Sequence, residues 1–361
     1  MSEILAERVG AAGFITLNRP RALNALSLSM VRDLANTLRE WQDDPWIERV
    51  ALRGMGKDGQ PFGAFCAGGD IRWFHEAAHA GDASLEDFFT EEYALNHLIH
   101  SYPKPYAVFL DGVVMGGGMG ISGHGKHKVA QGMRIVTERT KMAMPETNIG
   151  LFPDVGGGYF LSRCPGFIGE YLALTGHLIR ADDAIYADLA DVRVQSARLA
   201  AIWDKYAERG VLALEGEGVT SDEASVLEIN RSAIDGFFGL PTVTQIVEAL
   251  EADSTAWAQE TAAMLRKRSP LMLHVTLEQL RRGREMSLAD DLRMERDIVR
   301  NCFQLRQGTE SETVEGIRAL VIDKDQQPKW NPARIEDVTP DMVDDFFKSP
   351  WSPQEHPLAE L

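Results

Sequence analysis

An α/β fold with parallel strand pairing, turning mostly helical in its second half, is predicted for this 361-residue chain by three observations. Strand-like and helix-like stretches alternate from residue 13 to about residue 174. Tyr106–Leu110 (YAVFL) is an unbroken apolar run, the mark of a strand covered on both faces. Beyond about residue 180 the apolar residues recur at helical spacing.

In order along the chain, residues 13–17 (GFITL) are a predicted strand, and NRPRALNALS is a turn leading into a helix from Leu26 to Trp41. Val50–Arg53 is a second strand, and residues 54–63 form a polar, Gly-rich loop. Phe65-Cys66-Ala67 is a short strand ending at Gly68-Gly69, with Asp70 placed to cap the next helix. Residues 85–101 form a helix with Leu85, Phe88, Phe89, Leu95 and Leu98 on its apolar stripe. Strands follow at Tyr106–Leu110, around His127–Ala130 and at Arg134–Thr137, with a short helix after the glycine cluster at 116–118. A helix from about Gly157 to Leu174 follows the FPDVGGG turn. Short helices are predicted at 183–190, 196–209, 230–236 and 243–251, with residues 210–229 as a loop. Longer helices span 254–267, 270–282 and 288–302, and residues 311–322 are a helix leading into a strand-like LVI. The tail from Asp323 is rich in proline and wraps the surface, with one short helix near 340–347.

Bulk composition narrows the function. The 44% hydrophobic content is ordinary for a protein with a full core. With 37 basic and 54 acidic residues the formal charge is −17, which argues against nucleic acid or an anionic membrane as partner. Three widely spaced cysteines, Cys66, Cys164 and Cys302, do not suggest a disulfide framework or a zinc site. The N-terminus MSEILAERVG has neither a secretory nor a transit-peptide pattern. No stretch approaches the ~20 apolar residues that span a bilayer. A reduced, cytoplasmic setting is expected.

The stretch from Asp111 to Leu161 carries the chemistry. A triple glycine, 116–118, opens a short helix, and Glu146 and Asp154 follow in a Pro- and Gly-bounded loop. Glycines let bare backbone N–H groups approach a ligand. Gly68-Gly69 makes a second strand-to-helix turn, so two strand ends can each offer one N–H to the same oxygen. Glu146 lies among Met142, Met144 and Pro145; a lone Glu is ordinarily solvated, but enclosure would raise its pKa toward the range useful for proton transfer. Asp154 is equally a candidate helix cap. Glu91-Glu92 would normally mark a solvated helix face. His124 and His127 lack the companions a metal site needs. Arg21, beside Pro20, can attract phosphate or be solvated. Gly118-x-Gly120-x-x-Gly123, with Glu138 further on, also matches the dinucleotide fingerprint, which keeps a nicotinamide oxidoreductase among the alternatives.

Together, NRPRALNALS, FCAGGDI (65–71), DGVVMGGGMG (111–120) and MPET (144–147) resemble the crotonase (enoyl-CoA hydratase/isomerase) superfamily over almost the whole chain. FFTEEYALN (88–96), His124-Gly125, MPETNIGLFPDVGGGYFLSR (144–163) and GIRALVIDKDQQPKWNPA (316–333) are similar to its 3-hydroxyisobutyryl-CoA hydrolase branch. The resemblance implies a spiral of ββα units over residues 1–200 carrying an acyl-CoA site, and a helical C-terminal region with the tail over 201–361. It implies backbone donors at Gly69 and Gly117, and substrate-contacting or catalytic residues at Glu92, Gly117, Glu146 and Asp154. Arg21 is a candidate for the CoA phosphates. The implied reaction is hydrolysis of a short β-hydroxyacyl-CoA thioester, 3-hydroxyisobutyryl-CoA in valine breakdown, with no cofactor or metal, coenzyme A being part of the substrate. Oligomeric state stays open, because the C-terminal helices can pack on their own chain or on a neighbour. Hydratases of the superfamily add water with two glutamates; the first matches Gly120 here, which has no acid. Relatives often carry a His-Tyr pair where this chain has Val192-Arg193, which bears on acyl specificity. The remaining alternatives are a hydratase or isomerase on the same fold and a non-catalytic acyl-CoA-binding protein.

Overall fold

The computed structural model describes residues 2–123, 133–220 and 224–361. The expected strand at His127–Ala130 and the pair His124 and His127 lie outside the described residues. The chain divides into two compact units, each assembled from three separate stretches.

The first unit comprises residues 1–69, 94–143 and 178–229. Its strands are β1 (Ile4–Val9), β2 (Ala12–Leu17), β3 (Arg49–Gly54), β4 (Tyr106–Leu110), β5 (Val113–Met115), β6 (Met133–Thr137), β7 (Lys141–Ala143) and β8 (Val192–Val194). Six of them form one sheet in the order β1-β2-β3-β4-β6-β8, and β5 pairs with β7. β1 and β2 are antiparallel; every other pair is parallel, as expected. β2 and β4 are buried along their whole length, which explains the continuous apolar sequence of β4. One face of the sheet packs Phe14, Phe109 and Ile135 against Leu199, Ile202, Trp203 and Tyr206 of the helix Leu199–Arg209. The helix Leu28–Asp43 starts two residues later than predicted because Ser27 caps it, accepting from Met30 N–H at 3.2 Å.

The second unit comprises residues 70–93, 144–177 and 230–361, and is helical. Asp70 caps Ile71–Ala80 by accepting from Trp73 N–H at 3.3 Å, as its position suggested. The helix predicted from Gly157 to Leu174 is two helices, Gly157–Leu161 and Ile168–Thr175. Pro165-Gly166 separates them: proline cannot donate to the helical ladder, and Gly166 has a φ of +60°. The strand-like LVI is not a strand; it continues the helix Glu312–Ile317 as a π-turn, Arg318–Ile322. Two long helices lie in this unit among shorter ones. Pro270–Gly283 begins with proline in its first turn under a Ser269 cap, and Leu288–Gln304 begins under a Ser287 cap. No described helix is long and apolar enough to cross a membrane.

Candidate active site

In the first unit, the two glycine turns singled out from sequence lie against each other. Cys66 pairs with β5, accepting from Met115 N–H at 3.0 Å and donating to Val113 O at 2.9 Å. Leu26 N–H then donates to Gly68 O at 2.7 Å, so the segment carrying Arg21 runs beside the Gly68-Gly69 turn. Gly68 has a φ of +96°, and a Cβ there would stand 3.5 Å from Gly117 N. A Cβ on Gly118 would stand 2.6 Å from Cys66 O, so only glycine permits this approach. Among the described residues, neither the Gly69 nor the Gly117 N–H has a protein acceptor. Gly117 is buried at the first turn of the four-residue helix Gly117–Gly120, and Gly69 is half-buried. Arg21 is exposed on the turn Pro20–Ala22.

A residue not singled out from sequence holds this arrangement. Asn24 is fully buried; its amide donates to Met55 O, Ala64 O and Phe65 O at 3.0–3.1 Å and its oxygen accepts from Arg19 N–H at 2.9 Å. Its place in NRPRALNALS, between Leu23 and Ala25, was the available signal: an amide followed by apolar residues at a helix entry.

In the second unit, Glu92, Glu146 and Asp154 are brought together. Glu146 opens the 3-10 turn Glu146–Ile149 after Pro145 and is only 7% exposed, so the solvated reading fails for it. The turn is fixed by its neighbours: Leu151 N–H donates to Glu146 O at 3.0 Å, Thr147 Oγ1 to Leu174 O at 3.1 Å, and Ser269 N–H to Thr147 O at 3.2 Å. Glu92 is 2% exposed, which corrects the solvated-face expectation for this member of the Glu91-Glu92 pair. Asp154 is 6% exposed and does not cap a helix with its side chain; its Oδ2 accepts from Tyr93 Oη–H at 2.8 Å, while Gly156 occupies the cap position. Tyr93, adjacent to Glu92, is the second contributor that sequence did not reveal.

The electrostatics follow from this enclosure. Burial lifts the Glu146 carboxyl well above the usual carboxylate range, and the Asp154 charge lifts it further. Burial does the same for Glu92, helped by Asp154 and Glu146. Burial pushes Asp154 up to about 6, against the opposing pull of the Tyr93 hydrogen bond. Three buried carboxyls that feel one another's charge cannot all ionise freely, so the group retains protons where isolated carboxylates would have lost them. Among the described residues, Glu146 Oε2 and Glu92 Oε1 are buried with no protein hydrogen-bond partner. These two oxygens are thus open to a hydrogen bond from a substrate or a water.

Other motif readings resolve as structure. The helix opened by the glycine fingerprint ends at Gly120, and Glu138 is exposed and accepts from Ser196 N–H at 3.0 Å. Arg193, at the site of the unusual Val-Arg pair, bonds Asp182 at 2.6 Å from β8.

A model of the enoyl-CoA hydratase/isomerase family matches residues 12–347. The chain belongs to that family. Relatives named "3-hydroxyisobutyryl-CoA hydrolase, mitochondrial" are 42% identical in Rattus norvegicus and 40% identical in Homo sapiens, each over 96% of this chain and 89% of the relative. Among solved structures, a carnitinyl-CoA dehydratase from Mycobacterium thermoresistibile superposes with a TM-score of 0.88 at 38% identity, covering 98% of both chains. An enoyl-CoA hydratase from Rhodobacter sphaeroides 2.4.1 gives 0.84 at 37% identity, covering 98% of this chain and 99% of that one. The crotonase-like α/β fold with a helical C-terminal region, expected from the motifs, is therefore the fold of this family member.

Proposed function

We propose that this chain is an acyl-CoA thioester hydrolase, converting 3-hydroxyisobutyryl-CoA and water to 3-hydroxyisobutyrate and CoA. The relatives named for that activity support it over nearly the whole chain. The observation that carries it is a buried glutamate, Glu146, with a free carboxylate oxygen beside Asp154, in a chain whose residue 120 is a buried glycine. One such glutamate suffices to activate water or to attack a thioester. Adding water across a double bond by the two-glutamate route lacks its first acid here.

We assign the oxyanion of the tetrahedral intermediate to the Gly69 and Gly117 N–H groups, donors that stabilise developing charge more than the ground-state carbonyl. Glu146 is the base or nucleophile; in the second case a mixed anhydride forms as CoA thiolate leaves, and water then opens it. Asp154 binds the substrate 3-hydroxyl and relays the proton to the departing thiolate or from water. Glu92, adjacent to these two carboxyls, orients the acyl group. Arg21, exposed and cationic, is the candidate for the CoA phosphates. No cofactor enters this scheme. Three free, buried cysteines suit a reducing compartment, and cell fractionation decides between the cytoplasm and the mitochondrion named for the relatives.

The rival is a hydratase or dehydratase, as two of the superposed structures are titled. A thiol reagent with a panel of acyl-CoA esters, run beside the absorbance of crotonyl-CoA, separates the two. The expected outcome is thiol release from 3-hydroxyisobutyryl-CoA and no loss of the crotonyl double bond. Double-bond hydration without thiol release would replace the proposal by the rival, and binding of CoA esters without turnover would reduce the protein to a binder.

A further inference from the structure

Asp154 sits in a turn that its own sequence does not favour. Val155, the next residue, is β-branched yet has a φ of +54°, and Gly156 comes after it at +87°. A β-branched residue in the left-handed region is strained and persists only where its surroundings over-determine it. Those surroundings are on the helix Leu288–Gln304, where Asp291 and Glu295 stand one turn apart and are both fully buried. Glu295 Oε2 accepts from Gly156 N–H at 2.7 Å, and its Oε1 accepts from Gly158 N–H at 2.9 Å. Asp291 Oδ2 accepts from Tyr159 N–H at 2.9 Å. The grip extends to the other side of Asp154 through Gln279, whose amide donates to Pro153 O at 2.7 Å and to Glu295 Oε1 at 2.9 Å. The backbone is thus held at residues 153 and 156, immediately flanking the Asp154–Val155 peptide, while Tyr93 holds the Asp154 side chain.

We propose that Glu295 is a positioning residue for Asp154, fixing the strained 153–158 turn so that the Asp154 carboxyl is presented in one orientation. A simple cap for a five-residue helix would not require this. A neutral Ser or Asn caps a helix about as well, and burying two carboxyls on adjacent turns is expensive unless geometry repays it. Close packing supports the same view: a Cβ on Gly158 would stand 2.2 Å from Asp291 Oδ1, so the turn is seated directly on the pair.

The role rests on the hydrolase reading, in which Asp154 takes part in turnover. The test is a double-mutant cycle of Glu295→Gln and Asp154→Asn in the full-length enzyme, with kcat and KM measured by thiol release. Glu295→Gln puts an NH2 against one of the two glycine N–H groups at nearly unchanged volume. It should lower kcat by about 10- to 100-fold, the scale for misplacing a catalytic group by ~1 Å, with KM within about threefold. In the Asp154→Asn background the same change should lower kcat by less than about threefold, because its target is already gone. Wild-type kcat in Glu295→Gln, or an undiminished loss in the Asp154→Asn background, would overturn the proposal. If Glu295→Gln does not fold, Gln279→Leu, which releases Pro153 O and Glu295 Oε1, goes through the same cycle, and the same two results would overturn the proposal. If the wild type proves to catalyse another acyl-CoA reaction, the functional reading has failed and the cycle is measured on that reaction.

Discussion

At the scale of single residues, chemistry follows from enclosure. Glu146 is an unremarkable glutamate in sequence; burial and the nearby Asp154 make it a weak acid. For a base whose pKa is raised, kcat/KM should climb with pH along a limb lying above the ordinary carboxylate range, which a pH–rate profile measures. Tyr93→Phe removes the hydrogen bond that favours ionised Asp154, so the Asp154 carboxyl, now at about 6, should titrate higher still, as side-chain NMR would show. The burial of Glu92 was partly legible. It stands four residues after Phe88 and three before Leu95, both buried, and so falls on the apolar stripe of its own helix. The adjacent Glu91 hid this by making the pair resemble a solvated face. Tyr93 and Glu295 were not legible, because their partners lie 61 and 139 residues away in the chain.

Among elements, long periodic segments were readable and short ones were not. β4 and the helices Pro270–Gly283 and Leu288–Gln304 matched their sequence patterns within two residues. β1 was missed because five of its six residues are exposed, which leaves no alternation to detect. β5 and β7 are three residues each and are defined by pairing with one another rather than by their own composition. That small sheet matters, because β5 also pairs Val114 with Cys66 and so sets the Gly68-Gly69 turn against Gly116–Gly118. Gly118→Ala should break this seating. Its methyl meets the Cys66 carbonyl, a backbone atom that cannot step aside. We expect a loss of about 1–3 kcal/mol in urea denaturation, the usual penalty of overpacking, and about a 100-fold or greater fall in kcat if a Gly117 or Gly69 donor is displaced.

For the whole molecule, the enclosed carboxyls tie stability to pH. Asp154 rises from 3.8 to about 6 on folding, and Glu92 and Glu146 also rise, so the unfolded chain releases protons that the folded chain keeps. The contribution of these three carboxyls is then full below the unfolded values near 4 and is lost as pH rises through about 6 and beyond. Urea midpoints at pH 5 and pH 8 should show this decline, and Glu146→Gln should flatten it, being more stabilising at the higher pH. With a formal charge of −17 the protein also repels the CoA phosphates, so moderate salt should raise kcat/KM, in contrast to a basic, electrostatically steered enzyme. The fold class was visible in periodicity, and the family in its motifs. The assembly of each compact unit from three distant stretches was not, since local patterns say nothing about which stretches associate.

The most direct test is steady-state thiol release from 3-hydroxyisobutyryl-CoA by the wild type and by Glu146→Gln, with both proteins shown to be folded. Wild-type turnover that falls by about 100-fold or more in the variant is the predicted result. Equal turnover in the two would contradict the central claim that this buried glutamate carries the reaction.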